Sequence, residues 1–81
     1  GMLFIYTTDV TESFYMKNTL ISLDIIFIAA DLSIVSITRE TTPLSLDLIT
    51  ASAPYRYVLE VRAGFAAAHG LNGGDRVTLN L

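Results

Sequence analysis

Cysteine is absent from this chain of 81 residues, and with it go every disulfide framework, thiolate metal site and cysteine nucleophile. There is one histidine, His69, with no partner at metal-ligand spacing, so no metal or other cofactor is expected. Charge is scarce as well: 16% of the residues are charged and the net charge is −3. The five basic residues, Lys17, Arg39, Arg56, Arg62 and Arg76, are scattered along the chain. Nucleic-acid binding rests on clustered cations that neutralise phosphates, so a nucleic-acid partner is not expected. Long hydrophobic runs are missing too. The longest, Ile25 to Ala30, is closed off by Asp24 and Asp31, well short of the roughly 20 apolar residues a membrane helix needs. No basic stretch leads into an apolar one after Met2, so no secretory leader is visible, and the compartment stays open.

What the chain does hold is apolar material. Hydrophobic residues make up 52% of it, too many for a disordered segment. At this length residues 1–81 form a single domain, which buries only a limited share of its surface.

The local pattern is that of strands. "MLFIYT" (2–7) and "SFYMK" (13–17) are rich in aromatic and branched residues. "LDIIFIA" (23–29) is apolar on both faces of its alternation, which predicts a central strand covered on both sides. A hairpin at 29–33 leads to "SIVSITRE" (33–40), a half-exposed strand. Residues 41–54 carry both prolines and many hydroxyl residues, which predicts an ordered surface excursion. "YRYVLEV" (55–61) is the next strand. "AGFAAAHG" (63–70) is the one helix, favoured by three alanines and ended by Gly70. It is too short to persist alone, so Phe65 is expected to dock it on the sheet. A glycine-rich turn, "LNGGD" (71–75), precedes a last strand, "RVTLNL" (76–81). The fold class is mainly β: a small antiparallel barrel or sandwich with one short helix near 63–69.

Three blocks carry a resemblance. Phe14, Met16, Lys17, Asn18, Thr19, Ile21, Leu23 and Asp24 form the first. Arg56 to Glu60 with Ala63 and Gly64 form the second, and Gly70, Leu71, Gly74, Asp75, Arg76 and Val77 the third. Together they resemble domain-of-unknown-function family 192, across nearly the whole chain. The departures are Ser22, where the family usually has proline, and Leu32, where a glycine often completes an Asp-Gly turn. The resemblance implies a compact, mainly β fold and no established activity, and it supplies no catalytic residues. Relatives are often exported, and they usually carry several tens of residues before this block. The chain is therefore expected to match the C-terminal part of the domain. Lacking the earlier strands, its sheet is expected to keep open edges and an uncovered apolar face drawn from Leu3, Ile5, Phe14, Ile26 and Ile28. A homodimer through strands 2–7 or 13–17 follows from that.

Five residues stand as a tentative ligand-binding set: Lys17, Asn18, Asp24, Arg56 and Glu60. Lys17, Asn18 and Asp24 supply an ammonium, an amide and a carboxylate that could line a polar pocket. The competing reading is a turn made by Asn18-Thr19, with Lys17 and Asp24 paired at its mouth. Glu60 lies near Arg56 and Arg62, which suggests an ion pair. As a general acid it would need a second carboxylate such as Asp24. His69 suits the C-terminal end of the helix. The serines have no nucleophile-elbow pattern, and "LNGG" precedes a strand, not a helix, so it is no phosphate cradle. Tyr55 and Tyr57 read as packing. The function expected is a non-catalytic β module that binds a small ligand or a protein partner. The alternative is a hydrolase or lyase using Asp24 and Glu60 with Lys17.

Overall fold

The doubly apolar run Leu23–Ile28 becomes the inner strand β2 of the sheet, as its two-sided pattern requires. The computed structural model describes residues 1–79. Around β2 lie β1 (Met2–Val10), β3 (Ile34–Thr38) and β4 (Tyr55–Arg62), followed by a single turn of helix, α1 (Phe65–Ala68). All pairings are antiparallel, in the order β1-β4-β2-β3. The expectation of a mainly β fold with one short helix holds. The sheet does not close on itself, however, so it is a covered open sheet and not a barrel.

Each face of the sheet has its own apolar cluster. On the first face Ile25 and Phe27 of β2 and Val58 of β4 meet Phe4 and Tyr6 of β1. Their cover is not another sheet but two loop segments lying side by side. Phe14 and Ile49 exchange backbone hydrogen bonds of 2.9 and 2.6 Å, Met16 N–H donates to Ser45 O at 3.1 Å, and Leu44 N–H donates to Thr19 O at 2.9 Å. This short ribbon drops Phe14, Met16 and Ile49 onto the sheet. Fully buried Tyr55 is the hub of this face. Its ring centroid is 4.9 Å from Phe27 and 5.9 Å from Tyr6, and its hydroxyl donates to Glu12 O at 2.6 Å. Burial pushes the Tyr55 phenol up to about 12.

On the second face Ile26, Ile28, Ile34 and Val61 pack with Tyr57, Leu59, Leu71 and Val77. The helix docks here, yet not by the residue expected. Ala66 is fully buried, whereas Phe65 is 36% exposed and stacks on His69 at 4.2 Å. In so short a helix the small side chain is the one that lets the backbone approach the sheet.

Two further expectations are corrected, and a third is met only in part. Residues 13–17 do not form a sheet strand: Phe14 makes one isolated bridge and the chain then turns at Lys17-Asn18. The last strand is reduced to a bridge between Arg76 and Ser33, and residues 80–81 of the predicted strand lie outside the described residues. Of the five residues expected to lack cover, Ile26 and Ile28 are buried because α1 and the 71–77 segment lie over them. Leu3 and Phe14 are half-buried, and Ile5, on edge strand β1, is 57% exposed.

Leu32 sits at φ 69° in the 29–33 hairpin, the left-handed conformation in which glycine carries no side-chain penalty. Its side chain packs against the second cluster, which offsets the strain. Glu40, at φ 49°, has the same backbone but an exposed side chain. Opposite signs are therefore expected. Glu40→Gly should raise stability by about 0.5–1 kcal/mol, and Leu32→Gly should lower it by about 1 kcal/mol. Urea denaturation of the two variants checks the pair.

Candidate functional site

Asp24 is where the sequence and the structure meet most closely. It enters on β2 opposite Val61, so its side chain lies on the second face, and it is 1% exposed. A carboxylate this deep requires partners. One oxygen accepts from Glu40 N–H at 2.9 Å, the other from Ala66 N–H at 2.9 Å. Gly64, the residue before α1, takes φ 92°, a turn that its lack of a Cβ permits and that lets its N–H also aim at the carboxylate. Asp24 thus caps α1 from a distance while holding the 39–41 loop. Burial alone would raise its pKa. The backbone donors of Glu40, Ala66 and Gly64, with the charge of Arg39, outweigh it and hold the carboxyl below its ordinary value. Thr41, also buried, completes the clasp: its Oγ1 accepts from Leu23 N–H at 2.9 Å and its own N–H donates to Leu23 O at 2.9 Å.

The other four candidates lie elsewhere. Lys17 and Asn18 are exposed at the tip of a tight turn closed by the backbone bond from Thr19 N–H to Met16 O at 3.0 Å. The turn is there, but the backbone closes it; among the described residues the Asn18 side chain makes no hydrogen bond. Arg56, at the far end of β4, gives Asp9 two hydrogen bonds of 2.9 and 3.1 Å. Glu60 therefore gets no ion pair from Arg56, nor from Arg62, among the described residues.

Glu60 lies on the first face, opposite Ile25 and Met2. Asp24 and Ile25 are successive residues of one strand, so the carboxylates of Asp24 and Glu60 project from opposite faces of the sheet. The geometry thus assembles no two-carboxylate acid–base pair, and Lys17 stands apart from both. Instead Glu60 faces a hollow of about 300 Å³ bounded by Gly1, Met2, Ile21, Leu23, Val61 and Arg62. Burial against these walls raises its pKa. A second hollow, of about 230 Å³, lies between the ribbon and residues 38–42, lined by Met16, Thr41, Ser45 and Asp47 among others. Among the described residues no group of three or more His, Cys, Asp or Glu could hold a metal ion, and no helix is long and apolar enough to cross a membrane.

Sequence reasoning missed two features. The donors to Asp24 lie 16 and 42 residues away along the chain, a separation no local pattern reports. The outer face of the ribbon did leave a signal: Leu44, Leu46 and Leu48 alternate with Ser45 and Asp47, and all three leucines are exposed.

Replacing Asp24 leaves the buried Ala66 N–H and the partly buried Glu40 N–H without their acceptor. Asp24→Ala is expected to cost about 3 kcal/mol, whereas Asn18→Ala should stay within about 0.5 kcal/mol. A depressed folded-state pKa stabilises above the unfolded-chain value and ceases to do so as pH falls through the folded one. The melting difference between the natural protein and Asp24→Asn should therefore be full at neutral pH and shrink below about pH 4. Thermal melts at a series of pH values check this.

Comparison with known proteins places this architecture among solved structures. A crystal structure described as "a putative transcription regulator" from Sinorhizobium meliloti 1021 superposes with a TM-score of 0.88 at 39% identity, covering 94% of this chain and 59% of that one. A protein of unknown function from Novosphingobium aromaticivorans DSM 12444 superposes with a TM-score of 0.90 at 35% identity, covering 96% of this chain and 56% of the other. The chain thus spans a little over half the length of these relatives. No curated protein matches it significantly. The family model described as "Uncharacterized ACR" matches residues 1–79, and the chain belongs to that family, domain of unknown function 192.

Proposed function

We infer that the protein is a non-catalytic β module that acts by binding, assembled as a homodimer through the outer face of its ribbon. The observation that carries this reading is the exposed apolar surface there. Leu20 is 78% exposed, Leu46 and Leu48 are each 69% exposed, and Tyr15 and Leu44 are also open to solvent. Phe14, Met16 and Ile49 of the same ribbon point inward, so by alternation Tyr15, Leu46 and Leu48 point out together. Such a patch is uncommon on a monomer and is suited to a self-complementary two-fold contact. Lys17 and Asn18, exposed at the turn beside it, supply a polar rim, which is the role left to these two of the expected ligand residues.

The charge distribution favours protein over nucleic acid as the partner, despite the description of the Sinorhizobium relative. Arg56 is engaged by Asp9, Arg39 donates to Leu71 O at 2.6 Å, and Arg76 lies 4.0 Å from Asp31. Among the described residues that leaves no basic stripe to follow a phosphate backbone. The edge strand β1 is a second surface with a specific feature in its favour: Met2 and Ile5 are 56% and 57% exposed beside its unpaired edge.

Sedimentation at micromolar concentration separates the two surfaces. A dimer is expected for the natural protein, a monomer for Leu46→Ser/Leu48→Ser, and a dimer still for Ile5→Lys. Dissociation by Ile5→Lys alone would move the interface to β1. A natural protein that sediments as a monomer would overturn self-association.

A further inference from the structure

The glycine-rich segment 71–75 folds as a turn pinned on both sides to the second face. Before it, Leu71 N–H donates to Ala66 O at 2.9 Å, and Leu71 O accepts from Arg39 at 2.6 Å. After it, Gly74 N–H donates to Ile34 O at 2.8 Å, Ile34 N–H to Asp75 O at 2.7 Å, and Val77 N–H to Leu32 O at 2.8 Å. These bonds lay Leu71 and Val77 against Ile26, Ile28 and Ile34. Between the pins Asp75 N–H donates to Asn72 O at 3.1 Å, and Gly74 stands at φ 88°, the left-handed region that such a turn asks of its third residue.

Asn72 and Gly73 are both exposed, and they form the one Asn-Gly pair of the chain. The Gly73 N–H has no acceptor among the described residues, so nothing withholds its proton from a base. It adjoins the Asn72 side-chain amide, which a single long bond holds, from Nδ2 to Gly70 O at 3.3 Å. Gly73 carries no side chain to hinder the approach of its nitrogen to that amide. The other two asparagines, Asn18 and Asn80, precede Thr19 and Leu81, whose side chains crowd the same approach.

We propose that Asn72 is a site of deamidation and isomerisation, and that the isoaspartyl product unpins the 71–77 cover from the second face. Base removes the Gly73 amide proton, and the nitrogen attacks Asn72 Cγ. A bond forms between them, the bond from Cγ to Nδ2 breaks, and ammonia leaves behind a cyclic succinimide. Water then opens the ring at either carbonyl. One opening gives aspartate; the other gives isoaspartate, in which the main chain runs through Cβ and Cγ. The balance is one water consumed and one ammonia released. Isoaspartate inserts an extra carbon into a main chain fixed on both sides, so the bonds at Leu71 and at Gly74 cannot both keep their geometry. Either product also adds a carboxylate beside that of Asp75, which accepts from Asn72 N–H at 2.8 Å. None of this depends on the ribbon contact or on the oligomeric state.

Incubation of the folded protein in mildly alkaline buffer, followed by tryptic mass spectrometry, tests the site. Cleavage after Lys17, Arg39, Arg62 and Arg76 puts each asparagine in its own peptide. Ammonia loss is expected first at Asn72, at a rate within about tenfold of that in the isolated peptide 63–76, because no unfolding is needed to reach it. Gly73→Ala should slow the loss by at least about tenfold. A Cβ at Gly73 meets nothing nearer than Val35 O at 3.7 Å, so that variant keeps the fold. Isoaspartyl protein, isolated by chromatography, should melt below both the natural protein and Asn72→Asp, which adds the charge without the carbon. Loss at Asn18 or Asn80 as fast as at Asn72 would overturn the assignment. So would protection of Asn72 beyond the stated range, or an unchanged rate in Gly73→Ala. An isoaspartyl form that melts with the natural protein would overturn the unpinning.

Discussion

The Asp24 carboxylate is the constraint on which the second face depends. It leaves the central strand β2 and accepts backbone N–H groups from the start of α1 and from the 39–41 loop. Each of those segments is too short to hold itself in place. The helix is four residues long, and a helix of that length has no stability of its own in water. Its docking depends on an acceptor supplied by the sheet and on Ala66 filling the space beneath it. Charge-assisted hydrogen bonds of this kind are stronger than neutral ones, and burial makes their absence costly. A buried aspartate in a small β domain can invite a catalytic reading. Here both oxygens are occupied by main-chain donors, and the residue joins three segments of chain.

The two faces of the sheet are closed by different means, and this decides which surfaces stay open. The second face is sealed by a helix, a hairpin residue and the 71–77 segment, leaving only scattered side chains exposed. The first is covered by a ribbon of irregular backbone, which contributes Phe14, Met16 and Ile49 inward and so must present its alternate residues outward. The apolar outer surface is a by-product of covering a sheet with an extended segment, because alternation gives every inward residue an outward neighbour. Beyond the reach of that ribbon the first face opens at the Met2–Glu60–Leu23 end, and there the hollow forms.

Much of the scaffold was legible in the sequence because it depends on local pattern. The two-sided apolar run at 23–28 marked a central strand, the hydroxyl- and proline-rich 41–54 marked an excursion, and Gly70 marked the end of the helix. Leu32 was legible as a glycine position, and it does adopt the left-handed backbone. The misreadings have one cause. "SFYMK" has strand composition, but whether it joins the sheet is decided by segments far along the chain, and Phe14 pairs with Ile49 instead. Arg56 was a plausible partner for Glu60 until Asp9, at the end of β1, came within 2.9 Å of it. Lys17, Asn18, Asp24, Arg56 and Glu60 are near one another in pattern and not in space, since strand alternation and the turn at 17–18 send them to different surfaces.

The strand order carries a consequence for synthesis. β1 is made well before its neighbour in the sheet, β4. A growing chain extends at about 5–20 residues per second, so β1 waits roughly 3–10 s for the strand that will pair with it. During that interval Met2 to Tyr6 are an extended apolar segment without a sheet, while β2 and β3 can already form their hairpin. Closing β1 onto β4 also joins chain segments some 50 residues apart, which makes it a late and comparatively slow event. The nascent chain is therefore exposed to misassociation at β1 in the interval before Tyr55–Arg62 becomes available.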